Sequence, residues 1–143
     1  MSTDENKAVV RRYIEEWNKQ NPAGVEELVA PEWVVHGAPP GISPGFAGIK
    51  QVFAAFFTAF PDAHWVVEDL IAEGDKVVAR LTLRGTHQGD FFGIPPTGKQ
   101  VSNTGIEISR VEDGKLVETW VNRDDLGWLQ QLGAIPQMAQ TGA

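Results

Sequence analysis

Val9, Val10, Tyr13, Ile14 and Trp17 recur at the spacing of one helix face, with Arg11, Arg12, Glu15 and Glu16 between them. That period predicts an amphipathic opening helix. Ser2 and Glu5 stand at the separation of a capping box at its start. Asn21-Pro22 supplies an N-cap followed by proline at N1, so a second, short helix is expected there. It would bury Val25, Leu28 and Val29, and Pro31 would end it. Residues 32–36, Glu-Trp-Val-Val-His, are β-prone. The glycine- and proline-rich run 37–45 fits neither helix nor strand and reads as a loop. Ile49, Val52, Phe53, Phe56, Phe57 and Phe60 then form a broad apolar stripe on a third helix, 48–60, stopped by Pro61.

After that the period changes from helical to two. Residues 65–72 read as a strand, and Glu73-Gly74-Asp75 as a turn. In 76–86, Val77, Ala79, Leu81 and Leu83 alternate with Arg80, Thr82 and Arg84. Residues 101–111 and 116–123 are two further strands about Glu112-Asp113-Gly114, an Asp-Gly hairpin signature. A short helix, 125–132, ends at Gly133. Helices first and a meandering antiparallel sheet second predict an α+β fold rather than βαβ units. A curved sheet wrapped over the N-terminal helices would enclose a hollow suited to one small ligand. No repeat or internal linker divides the chain, so 1–143 is expected to be a single domain, ordered over about 4–135, with a frayed tail from Gln137.

Composition narrows the classes of function. The net charge is −7, from 19 acidic and 12 basic residues that are interspersed. An acidic surface without a basic stripe argues against nucleic acid. There is no cysteine to form a disulfide. No apolar run reaches the roughly 18 residues of a membrane span, and the acidic start lacks the pattern of a signal peptide. A cytoplasmic location is the expectation. Five tryptophans and seven phenylalanines supply rings for a core or for a pocket wall.

Three stretches carry a resemblance. They are the run 85–99, with its Gly-Ile-Pro-Pro-Thr-Gly-Lys turn, the run 113–124, and Leu126-Gly127-Trp128-Leu129-Gln130-Gln131-Leu132-Gly133. Together they resemble the SnoaL-like polyketide cyclases of the nuclear transport factor 2-like superfamily, and the likeness extends from about Asn6 to Gly133. It implies a cone of curved antiparallel sheet over helices around a deep apolar cavity. The implied reaction is an intramolecular aldol closure, or a related isomerisation, of a small hydrophobic or aromatic carbonyl compound. It implies no metal, flavin or nicotinamide, and commonly a homodimer through the outer sheet face. It also implies an aspartate as acid/base, matched here by Asp124, with His87 and His36 at matched histidine positions.

The residues can be weighed beside that resemblance. If alternation holds to the end of its strand, Leu116, Glu118, Trp120, Asn122 and Asp124 share a face. A carboxylate in an apolar cavity would have a raised pKa and could move a proton beside a carbonyl. The ordinary alternative for Asp124 is a helix N-cap, for which Asp125 looks better placed. Arg123 should then point outward, unless a bulge pairs it with Asp124. His87 either faces the cavity, bonding a substrate oxygen or partnering Asp124, or anchors the turn after it. His36 either rims a pocket or anchors the 37–45 loop. Trp17, Trp33, Phe53 and Trp120 are core rings or stacking surfaces for a flat ligand, and Phe56 and Phe57 belong to the same set. Asn103 and Glu107 share a strand face and point either to solvent or into the cavity, and Asn122 could place a substrate oxygen. A metal site built from His36, His87 and Asp124 is disfavoured by their scattered spacing. Two alternatives use the same scaffold: an epoxide hydrolase, which would need Arg80 or Arg84 in the cavity, and a non-catalytic small-molecule binder.

Overall fold

The computed structural model describes residues 1–136, and the tail expected to fray lies outside them. Helix α1 spans Thr3–Asn18. The capping box is formed: Ser2 Oγ accepts from the Glu5 amide at 3.1 Å, and Glu5 Oε1 accepts from the Ser2 amide at 3.3 Å. Its apolar face buries Val10, Tyr13 and Ile14. Helix α2 is Pro22–Glu27 and α3 is Phe46–Ala59. The strands are β1 Val29–His36, β2 His64–Glu73, β3 Lys76–Thr86, β4 Gln100–Glu112 and β5 Lys115–Arg123, and α4 is Asp125–Leu132. Gly133 closes α4 in the left-handed conformation, φ 78°, where a glycine costs least.

The five strands form one sheet in the order β1-β5-β4-β3-β2. β2 to β5 make the expected antiparallel meander. β1 departs from it by pairing parallel to β5, so the sheet is mixed. Pro31 also departs from expectation. Helix α2 ends at Glu27, and Pro31 lies inside β1. An edge strand tolerates a residue that cannot donate to a ladder.

The sheet curves over the helices, and the two faces of each strand meet different surroundings. On the concave side lie Val77, Ala79 and Leu81 of β3, and Val101, Asn103 and Ser109 of β4, all buried. Trp33 is buried between α1 and the sheet: it meets Tyr13 edge-on and donates through Nε1 to Thr119 Oγ1 at 3.0 Å. Ser109 Oγ lies 3.1 Å from the same hydroxyl. A buried indole N–H with a partner is a core arrangement. No helix among the described residues is long and apolar enough to cross a membrane.

Candidate active site

The concave face of the sheet, α1, α3, α4 and two loops enclose a cavity of about 530 Å³. Its wall is mostly apolar. Trp17, Phe56, Trp65, Leu83 and Trp128 line it from the helices and strands, while Phe91, Phe92 and Ile94 close it from the β3–β4 connection. That connection turns tightly at Phe92-Gly93, both at positive φ, with Phe91 and Ile94 bridged across the turn. Gly89 lets it press on α3, since a Cβ there would lie 2.3 Å from the Thr58 carbonyl oxygen. The polar lining is sparse, and much of it lies along β4 and β5: Asn103, Glu107, Asn122 and Arg123, joined by Tyr13 from α1. An apolar container with a few convergent polar groups is the usual form of a small-molecule site.

The faces of β5 are the reverse of those expected. Val121 and Arg123 line the cavity. Glu118 and Trp120 lie on the outer face, where His36 Nε2 is 2.7 Å from Glu118 Oε2 and the His36 ring stacks on Trp120 at 5.3 Å. That hydrogen bond is the first cause holding the Glu118 carboxyl below its ordinary value. Lys76 Nζ stands 5.8 Å from the Trp120 ring. Thus His36 and Trp120 are brought together, but away from the cavity. The reason is register. Leu116 pairs with Val111, but the β4–β5 ladder shifts between Arg110 and Val111, and a slip of one residue exchanges the faces of a strand.

Arg123 therefore points inward rather than outward. It does not pair with Asp124. Its Nη2 donates to the Gly37 carbonyl at 3.2 Å, and its Nε lies 3.3 Å from Asp125 Oδ1. The assignment of the helix cap is also exchanged. Asp124, not Asp125, is the N-cap of α4, and its Oδ1 accepts from the Gly127 amide at 2.9 Å. β5 ends at Arg123 and α4 begins at Asp125, which leaves Asp124 the capping position. Its carboxylate is exposed, although its own amide is anchored to Asn103 Oδ1 at 3.2 Å.

His87 is fully buried. Its Nδ1 accepts from the Thr97 amide at 3.2 Å, and its ring stacks on Phe60 at 5.2 Å. It anchors the turn and is absent from the cavity wall. Trp17 lines the cavity, and Phe53 packs behind it at 4.4 Å. Trp33 is core. Asn103 and Glu107 do reach the cavity, and Asn122 borders it. Arg80 is turned away and bonds Asp69 at 2.7 Å, and Arg84 is exposed. Among the described residues no group of three or more histidine, cysteine or acidic side chains is gathered as for a metal ion.

Glu107 sits in the middle of β4, with Ala79 opposite it on β3 and Val121 opposite it on β5. Arg123 faces Gly105, two residues along, and is its diagonal neighbour on the same face. Burial pushes the Glu107 carboxyl up to about 7, while the charge of Arg123 draws it down. Burial foremost, then the charge of Glu107, raises the Tyr13 phenol well above its ordinary value. Tyr13 was expected only as a core ring, and Arg123 as a surface cation. An arginine at the inner end of a strand and a glutamate among apolar neighbours are the signals that would have found them.

These features can be set beside known proteins. The chain matches the SnoaL-like polyketide cyclase family over residues 7–132. It belongs to that family. It is 32% identical over 137 residues to the aklanonic acid methyl ester cyclase DnrD of Streptomyces peucetius, with 92% of this chain and 89% of that protein covered. The solved structure of AclR, a candidate hydroxylase from Streptomyces galilaeus, superposes with a TM-score of 0.87 at 32% identity, covering 97% of this chain and 87% of that one. IdmH of Streptomyces antibioticus, a candidate polyketide cyclase, gives 0.79 at 33% identity over 90% of this chain and 98% of its own. The α+β fold of helices under a curved sheet is common to this family member and these neighbours.

Proposed function

We propose that this family member is a polyketide cyclase that closes a ring in a small aromatic carbonyl compound by an intramolecular aldol reaction. The observation that carries the reading is the cavity. Its wall of indole and phenyl rings suits a flat, neutral substrate, and its polar groups, Tyr13, Asn103, Glu107, Asn122 and Arg123 among them, could bond carbonyl oxygens. The relatives named as aklanonic and nogalonic acid methyl ester cyclases point to an esterified aromatic polyketide. In such a reaction a proton leaves the carbon between two carbonyls, that carbon attacks a ketone, and the alkoxide formed takes up a proton. A carboxylate serves both transfers when its pKa lies near the working pH. Asp124 was expected, from the resemblance, as the acid/base, but its exposed carboxylate accepts from the Gly127 amide. Serving a substrate inside the cavity would require it to leave the α4 cap.

Incubating the protein with aklanonic acid methyl ester and analysing the products tests the reading. A product of unchanged mass, with one new ring bearing a hydroxyl, is expected at a rate above the buffer reaction. Binding of the ester with the compound recovered unchanged would contradict it and leave a carrier. The hydrolase alternative gains nothing from this geometry, because the two arginines it was expected to use face away from the cavity.

A further inference from the structure

The inner face of β4 carries an isolated acid in an apolar place. Asn103, Gly105 and Glu107 follow one another along it, and all three line the cavity. The cross-strand neighbours of Glu107 are Ala79 and Val121, neither of which can bond a carboxyl. Among the described residues no side-chain hydrogen bond or ion pair within 4 Å engages Glu107, and Arg123 spends its guanidinium on Gly37 and Asp125. The ionisable groups that act on it are Arg123 from β5 and Tyr13 from α1. Glu107 is half-buried, so its carboxyl opens into the cavity with no protein partner and is free to bond what enters there.

We propose that Glu107 is the catalytic acid/base of this cavity, taking the proton from the substrate's acidic carbon and returning it to the new alkoxide. The inference rests on the ring-closure reading above. In the forward step the C–H bond breaks and its proton moves to the Glu107 carboxylate. The electron pair passes into the carbonyl, and the hydroxyl of Tyr13, a lining residue, would donate to the enolate oxygen. The enolate carbon then bonds to the ketone carbon, and the carboxyl proton moves to the alkoxide oxygen. All atoms of the substrate are kept, and no oxidant or reductant enters. A carboxyl pushed up to about 7 by burial is matched to both halves of this cycle at neutral pH.

Two substrates separate this inference from the reading on which it rests. The first is a naphthyl β-keto methyl ester with no second ketone, which can exchange its acidic proton but cannot cyclise. The second is aklanonic acid methyl ester. Exchange is followed in deuterium oxide by loss of the proton signal, and closure by product analysis, for wild type and for Glu107→Gln. Glutamine keeps the volume and cannot take the proton, and an unchanged circular dichroism spectrum reports that the fold is kept. The expected result is exchange and closure by wild type, both falling by about 10²- to 10⁴-fold in the variant. In wild type, kcat/KM should rise with pH through about 7, because the ionised form is the base, and that limb should vanish in the variant. Exchange that depends on Glu107 without closure would sustain the proton-transfer role and overturn the cyclase reading. Closure that survives Glu107→Gln would overturn the role and sustain the reading. Neither exchange nor closure by wild type would overturn both.

Discussion

Glu107 on the cavity wall and Asp124 at the start of α4 are carboxylates in opposite circumstances. Glu107 is half-buried on the cavity wall, flanked by alanine and valine, and makes no side-chain hydrogen bond among the described residues. Asp124 is exposed and bonded to the amide of Gly127. Partial burial among apolar neighbours disfavours the charge of the first and raises its carboxyl. The second performs an ordinary structural task. The resemblance read from the sequence points to Asp124, whereas the proposal made above rests on Glu107. If Glu107 carries the proton, the residue that resemblance points to and the residue that does the chemistry differ in this member.

That comparison can be broken in several ways, beginning with the largest effect. Replacing Glu107 by glutamine should cost about 10²- to 10⁴-fold in turnover, whereas Asp124→Asn, which keeps a good capping side chain, should leave turnover close to wild type. The reverse ranking would return the chemistry to Asp124. The next effect is on stability. The Glu107 carboxyl is raised from 4.5 to about 7 in the folded state. A raised acid favours folding below its unfolded pKa, and that favour is lost as pH rises through the folded value. Thermal denaturation of Glu107→Gln should therefore match wild type at pH 4 and exceed it at pH 8, by about 1–3 kcal/mol. A gain that is the same at both pH values would mean that the carboxyl is not desolvated. Smaller again is Asp124→Ala. It removes the α4 cap and should cost about 1 kcal/mol in urea unfolding, with a modest effect on turnover. The smallest effect belongs to the outer face. His36→Ala breaks an exposed pair with Glu118 and should change stability by no more than about 0.5 kcal/mol. It should leave ring closure intact, and a large loss of activity would place the site on the wrong face of the sheet.

Much of the fold was legible because its signals are local. The Ser2–Glu5 capping box, Asn21-Pro22, the Asp113-Gly114 turn and Gly133 mark where elements begin and end, and those positions hold in the structure. The parallel pairing of β1 with β5 was not legible, because it depends on two segments more than 80 residues apart. Nor was the inner face of β5. Leu116, Val117, Trp120 and Val121 place apolar groups on both sides of that strand, so alternation does not choose between them, and the ladder shift beside Val111 decides. The site inherits that ambiguity. Asn103 and Glu107 share a face under either reading and both reach the cavity. Trp120, Glu118 and Arg123 exchange sides. His87 shows a different limit: a histidine before a tight turn can serve substrate or backbone, and the sequence does not reveal that its Nδ1 meets the Thr97 amide.

The most direct measurement is the titration of Glu107 in the free protein. Carbon-13 NMR of glutamate labelled at the side-chain carboxyl, with Glu107→Gln to assign the resonance, reads it without any substrate. A midpoint near 7, well above that of the other glutamates, is the predicted result. A midpoint in the ordinary carboxylate range, near 4.3, would mean a solvated side chain and would contradict its role as the acid/base of the cavity.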